Sequence, residues 1–291
     1  MRVIIRNVLS SFITSNTKKR LKKVEFNTRK KLNFSLPKIN ERDFRKIICE
    51  DFNVKQGDHV FIHASLSLVN TDMTPEELLD LLLDIVGDNG SISVPCFPPM
   101  SSEKYLLRKA PHNYRTAKSG MGSFSECVRK HPNAIRSLHP TKSIASIGLD
   151  PSYLLHDDGD YLYPFSKSSP FNKLLQNNIK VLGIGVPMSY LSFVHVGEDL
   201  MLQEYPINIY NEESYVKRCV NYEGDTFNVT TKAHNIAIVG KANPYKFVKK
   251  YLDKKYWKCK RWYFTPFFYV NGSELTNSII REALKGNTVY D

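Results

Sequence analysis

The chain has 291 residues, 42% hydrophobic and 24% charged, with a mean hydropathy of −0.35, the ordinary make-up of a folded chain with a sizeable core. No stretch approaches the ~18 apolar residues of a membrane span. Five widely spaced cysteines without a CxxC exclude a disulfide framework or zinc knuckle and point to a reduced, cytoplasmic setting. The net charge of +12 is unevenly placed: residues 1–40 hold eleven Lys and Arg against Glu25 alone, a net of +10, which leaves +2 for residues 41–291 and excludes a nucleic-acid reading of the body as a whole.

The first segment, VIIRNVLSSFI, sets Ile4, Ile5, Val8, Leu9, Phe12 and Ile13 on one stripe of a predicted helix, and KKRLKK follows. Residues 1–36 are therefore set apart as a basic amphipathic extension and residues 37–291 as the folded domain. The extension has three readings: a helix on an anionic membrane surface, a nucleic-acid arm, or a helix packed on the body or on a second subunit. A cleaved signal fits poorly, because Arg6 and Asn7 break the apolar part and no small-residue cleavage site follows.

NERDFRKIICEDFN predicts a helix capped by Asn40, and DHVFIHASL a buried strand running into a serine-rich turn. In TPEELLDLLLDIVGDNG, Thr74 caps a helix, Pro75 takes its first position and Gly87 stops it. SISVPCF, KSIASIG and IKVLGIGV read as strands, with GSFSECVRKHP as a helix between the first two. The alternation predicts an α/β layered domain with a central sheet flanked by helices. The last third reads as a hairpin around Glu223-Gly224-Asp225, a helix in NPYKFVKKYLDKKY, an aromatic stretch and a short terminal helix.

Three stretches could carry chemistry. FIHASLSLVN leaves a strand through His63, Ser65 and Ser67, whose hydroxyls and nearby backbone N–H groups suit an anion; a plain polar turn with His63 hydrogen-bonded inside it is the simpler account. RSLHPTKSIASIG offers the planar fork of Arg136 and the hydroxyls of Ser137, Thr141 and Ser143, with Pro140 stiffening the turn. Its competing reading is a hydrogen-bonded corner between helix and strand. SYLSFVHVGEDLM reads as a helix opening with Ser192 as N-cap, His195 in its first turn, and Glu198 and Asp199 at i+3 and i+4. The helix N-terminus disfavours an imidazolium and a carboxylate favours it, a balance that suits a general base; a surface ion pair gives the same spacing. GIGVP lacks the third glycine of a dinucleotide site, no G-x-S-x-G elbow occurs, and Cys96 and Cys127 sit in inert settings.

Over residues 40 to about 255 the order of these segments resembles the aminoglycoside 3-N-acetyltransferase family. Arg136-Ser137-Leu138-His139-Pro140-Thr141-Lys142-Ser143 is similar to its Arg-Ser-x-His-Pro-x-x-Ser signature, and His195-Val196-Gly197-Glu198 to its His-Leu-Ala-Glu. His63-Ala64-Ser65-Leu66-Ser67 has one hydroxyl fewer than the family's His-Ser-Ser-Leu-Ser, and the aromatic C-terminal stretch does not resemble drug-modifying members. The resemblance implies an α/β fold and transfer of an acyl group from coenzyme A to an amine, without a metal. It implies His195 as base and Glu198 as its partner. His63, Ser65, Ser67, Arg136, Ser137 and Ser143 would then lie on the coenzyme A side. The basic extension favours a nucleotide-linked amino sugar of surface-polysaccharide assembly as acceptor, at the inner face of a membrane. An aminoglycoside is the alternative, and a non-enzymatic membrane- or polyanion-binding protein on the same scaffold is the third reading.

Overall fold

The computed structural model describes residues 30–150 and 161–291, with Val24, Asn27, Thr28 and Leu154. The predicted helix over Ile4 to Ile13 lies outside the described residues. Two strands sit at the centre: β1 (His59–Ala64) pairs in parallel with β6 (Lys180–Ile184), Val60 opposite Lys180 and Ala64 opposite Ile184. On one side follow β2 (Ser91–Pro95), parallel to β1, then β5 (Ile144–Ile147) and β4 (Ile135–Arg136), both antiparallel additions. On the other side β10 (Thr265–Asn271) and the edge strand β9 (Trp257–Trp262) form an antiparallel hairpin. The sheet of seven strands runs β4-β5-β2-β1-β6-β10-β9, and a smaller one joins β3 (His112–Asn113), β7 (Tyr210–Val220) and β8 (Thr226–His234).

Side-chain alternation divides the core between the two faces of the large sheet. Val60, Ile62, Leu182, Ile184 and Phe267 point one way, where α1 (Glu41–Arg45), α2 (Pro75–Val86) and α4 (Ser123–Lys130) deliver Phe44, Leu78 and Phe124; the short α3 (Ser102–Leu106) lies beyond β2. Phe61, Val181, Phe268 and Val270 point the other way. There α5 (Pro170–Leu175), α6 (Val194–Met201), α8 (Pro244–Tyr251) and α9 (Gly272–Ala283) deliver Phe171, Val194, Phe247 and Leu275, while the single turn α7 (Ile236–Val239) leads into α8.

Local chemistry starts the helices where the sequence places them. Asn40 and Thr74 each complete a capping box, with Asp43 and Glu77 closing back on the cap N–H, and Gly87 ends α2 with a φ of 64°. After Arg45 the chain widens into a π-helix, Lys46–Asp51, which no periodicity announces. The two glycines of GIGVP serve packing. A Cβ on Gly183 would stand 2.1 Å from the buried Phe268 ring, and Gly185, at φ 71°, lets its strand end pass the Ser65 carbonyl, which a Cβ would meet at 2.6 Å.

Gly183→Ala is therefore expected to cost about 2 kcal/mol through overpacking against a ring that cannot retreat. Urea unfolding tests this: the midpoint falls while the slope is unchanged, and an unshifted midpoint would show that the ring yields.

Candidate active site

The site collects at the end of the sheet where β1 and β6 run out. Ser65 N–H donates to Ile184 O at 2.9 Å, so the two strand exits are stitched together. His63, the last-but-one residue of β1, is buried, and its Nε2 lies 3.3 Å from Ser192 Oγ. Ser192 is thus not the side-chain cap of α6; its hydroxyl is drawn to a strand 129 residues away, and Phe193 holds the cap position without a side-chain bond.

His195 sits in the first turn of α6 and Glu198 one turn on. Their side chains meet, Nδ1 to Oε2, at 2.6 Å, with His195 15% exposed and Glu198 1%. Tyr205 adds a hydroxyl donor to the other carboxylate oxygen at 3.4 Å. Asp199, the second carboxylate at helical spacing, turns away from His195. It accepts from the Phe165 N–H at 2.8 Å and from Tyr210 Oη at 2.7 Å, and burial pushes its carboxyl up to about 7.

A second histidine stands beside the first. The His234 ring centre, at the end of β8, is 4.4 Å from that of His195 and stacks on Phe165 at 5.8 Å. His234 is buried with no hydrogen-bond partner at Nε2 among the described residues, and burial, then the charge of His195, push it well below the ordinary imidazole range. Lys142 enters from the β4–β5 turn with Nζ 4.5 Å from the Phe97 ring centre; burial brings its ammonium down to about 8, against the pull of Asp199. Sequence reading passed over His234 and Lys142. No local pattern marks His234, which β8 brings in from far along the chain, whereas Lys142 lies within the Arg136–Ser143 stretch and is given no role there.

The six residues expected on the coenzyme A side fall into two groups. Ser65 is half-buried, Ser67 is exposed, and their hydroxyls are 3.3 Å apart, with His63 beneath them. Arg136, Ser137 and Ser143 are buried and bonded to the protein itself. Arg136 donates to Ser143 Oγ at 2.9 Å, Ala117 O at 2.5 Å and Cys96 O at 3.0 Å. Ser137 Oγ accepts from Ile144 N–H at 3.0 Å. His139 Nδ1 takes the N–H groups of Thr141 and Lys142 at 3.2 and 3.0 Å, while its Nε2 lies 3.2 Å from Thr231 Oγ1 of β8. The donor-rich stretch is, in this geometry, the hydrogen-bonded corner that ties the two sheets together.

A cavity of about 310 Å³ opens on the far side of the pair, against Glu198 and Asp199, with Tyr163, Gln203, Asn208 and Lys232 among its walls. Among the described residues no cluster of His, Cys, Asp and Glu could hold a metal ion, and no helix is long and apolar enough to cross a membrane.

This architecture is that of the aminoglycoside acetyltransferases. The crystal structure of aminoglycoside acetyltransferase AAC(3)-Xa superposes with a TM-score of 0.71 at 19% identity, covering 92% of this chain and 99% of that one. The AAC-IIIb binary complex with CoASH superposes at 0.68 and 17% identity, covering 87% and 98%. A family model described as aminoglycoside 3-N-acetyltransferase matches residues 61–274, and the chain belongs to that family. The match runs through β9 and β10, so the aromatic C-terminal stretch lies within the family region. Aminoglycoside N(3)-acetyltransferase VII of Streptomyces paromomycinus is 30% identical over 159 residues, 50% of this chain and 55% of that protein, so the alignment spans little more than half of that relative.

The buried imidazoles give the fold a defined acid response. Burial holds His63, His112 and His139 at about 3, with His234 also pushed down, against an ordinary 6.5. Below that pH the unfolded chain takes up four protons that the fold refuses. Asp199 works the other way, because between 3.8 and about 7 the fold keeps a proton that the unfolded chain has lost. With about three protons net, stability should fall by roughly 4 kcal/mol per unit between pH 6 and 4. Urea unfolding across that range measures the slope, and Asp199→Asn should steepen it by about one proton; a flat profile would refute the assignment.

Proposed function

We propose that the protein is a coenzyme A-dependent N-acetyltransferase whose acceptor is an amine of an aminoglycoside. The observation that carries this reading is the 2.6 Å contact of His195 Nδ1 with a carboxylate almost without water. A carboxylate so placed fixes the proton on Nδ1 and leaves the Nε2 lone pair free to accept one. Acyl-CoA brings an activated carbonyl and a thiolate leaving group. His195 Nε2 takes a proton from the acceptor ammonium, freeing the nitrogen lone pair that forms the C–N bond as the C–S bond breaks. Glu198 steadies the imidazolium; His195 returns that proton to the departing thiolate, and the newly acylated nitrogen releases its second proton to water as the amide forms. Because His234 stays neutral, it does not compete for that proton.

Ser65 and Ser67 are the hydroxyls open to the co-substrate, with His63 supporting their loop. Arg136, Ser137 and Ser143 act beneath them by holding the sheet edge, without contacting the ligand. Residues 37–291 form the catalytic unit and residues 1–36 an appended segment. The acceptor reading is supported by the names of the relatives reported above, aminoglycoside acetyltransferase AAC(3)-Xa, AAC-IIIb and aminoglycoside N(3)-acetyltransferase VII. The nucleotide-linked amino sugar expected from the basic extension gains no support from these relatives.

Purified protein should release thiol from acetyl-CoA in the presence of aminoglycosides. His195→Ala should lower kcat by about 10²–10⁴ with little change in coenzyme A affinity, and Glu198→Gln should fall in between. Full turnover by His195→Ala would end the assignment; release with nucleotide sugars alone would move the acceptor and keep the chemistry.

A further inference from the structure

Strand β7 contains Val216-Lys217-Arg218-Cys219, and its alternation runs against its chemistry. Val216 faces water at 63% exposure, while Lys217, one residue on, is buried on the same face as Cys219. Sliding the strand by one residue would hide the valine and free the lysine. The register instead sets Lys217 opposite Val229 of β8 and keeps the lysine inside.

Burying an ammonium is costly unless partners replace its water. Lys217 Nζ donates to Tyr105 O at 3.2 Å and to Arg108 O at 2.5 Å, at the end of α3, and lies 5.1 Å from the centre of the Tyr105 ring. No carboxylate pairs with it among the described residues. An ammonium has three N–H groups, so one donor is left over. Burial draws it below its ordinary range, and the charge of Arg108 adds to that.

Lys217 lines a second cavity, of about 260 Å³, which shares no wall residue with the one against Glu198. Arg108 and Lys118, both exposed, stand in the same wall with Asn113 and Thr116, and none of the described residues lining it carries a carboxylate. Closing the end of α3 accounts for two of the lysine donors. It does not account for three cations around one cavity, whose mutual repulsion nothing in the wall offsets.

The wall is tied in place. Asn113 Oδ1 accepts from the N–H groups of Arg115 and Thr116 at 3.0 and 3.1 Å, Ala117 N–H donates to Asn113 O at 2.8 Å, and Ala117 O accepts from Arg136. The cavity also adjoins the site end of the large sheet. β2 runs parallel to β1, so the chain leaves both strands at that end, and Pro99 lines the cavity soon after β2. The same loop returns at Gly122, where a Cβ would stand 3.5 Å from Ala64 O, next to Ser65.

We propose that this cavity binds the phosphate group of a small-molecule ligand, with Lys217 supplying a fixed donor from within and Arg108 and Lys118 meeting the oxygens from the rim. A phosphate brings close to two negative charges and three acceptor oxygens, enough to answer three cations, and the guanidinium fork can take two of those oxygens at once. A carboxylate, with one charge and two oxygens, matches the set less well, and a polycation such as an aminoglycoside finds no counter-charge here. The proposal goes beyond the acyl-transfer reading and stands or falls without it, because binding is measured without turnover.

The test is the Tm of the full chain in rising potassium phosphate against potassium chloride of equal ionic strength. Phosphate should raise Tm with concentration, since a ligand of the folded state stabilises it by mass action, and chloride should not. Arg108→Gln with Lys118→Gln, at exposed loop positions, should raise the phosphate concentration needed by about tenfold or more with Tm in chloride unchanged. Lys217→Met should abolish the response. Titrations of the double variant with coenzyme A and with a nucleoside diphosphate then identify the source of the phosphate. Weakened coenzyme A binding assigns the cavity to the acyl donor, and weakened nucleoside diphosphate binding alone assigns it to a second phosphate-bearing ligand. Neither being weakened, with the phosphate response lost, leaves free phosphate as the ligand. An equal rise of Tm in phosphate and chloride, or an undiminished phosphate response in the double variant, would overturn the proposal.

Discussion

Glu198 is a carboxylate stripped of nearly all its water, and among the described residues His195 is its only ion-pair partner. Removing a carboxylate from water costs several kcal/mol unless hydrogen bonds replace the lost hydration. Here the replacements are the His195 ring nitrogen and the more distant Tyr205 hydroxyl. The imidazole therefore has little freedom of orientation: rotating it would leave a buried charge with one long bond. Most of the surrounding structure follows from that restriction. α6 must start close to the end of β1 for His195 to reach the sheet edge, and the His63–Ser192 contact anchors it there. Phe165 must pack beside His195, and its own N–H is fixed by Asp199.

The corner built on Arg136 shows how a donor-rich stretch can be structural and still serve a site. The three bonds of its guanidinium run to Cys96, Ala117 and Ser143, which belong to three different parts of the chain. His139 extends the same scaffold to Thr231, three residues before His234. The arginine and histidine of the signature thus set the distance between the large sheet, which carries Ser65, and the small one, which carries His234.

What could be read from the chain were the features that declare themselves locally. The caps at Asn40 and Thr74, the apolar strand runs and the three-residue spacing of His195 and Glu198 all act within one helical turn or one strand. The features that escaped reading depend on partners far along the chain. Ser192 has the chemistry of an N-cap, yet its hydroxyl meets His63. For Arg136 both readings were open, a phosphate fork or a hydrogen-bonded corner, and three oxygens of the protein take its guanidinium. The β9–β10 turn carries no Asn-Gly or Gly at its left-handed position, and Tyr263 fills that position instead, so the hairpin had no turn signal to betray it.

The electrostatics around His195 point to a site in which proton movement is confined to one place. Burial keeps His63, His139 and His234 uncharged, although all three lie close to the pair or to the turn behind it. Asp199 is pushed towards neutrality, and Tyr210 is held protonated by burial and by the Asp199 charge. Lys142 is eased away from its cationic form while facing an aromatic ring in place of a carboxylate. The three imidazoles therefore stay neutral near pH 7, while Asp199, at about 7, is only partly ionised and Lys142, at about 8, remains mostly an ammonium. A positive charge arriving in such surroundings, whether on the imidazole or on an incoming ammonium, meets the buried Glu198 side chain through its contact with His195 Nδ1. That contact is the axis of the site.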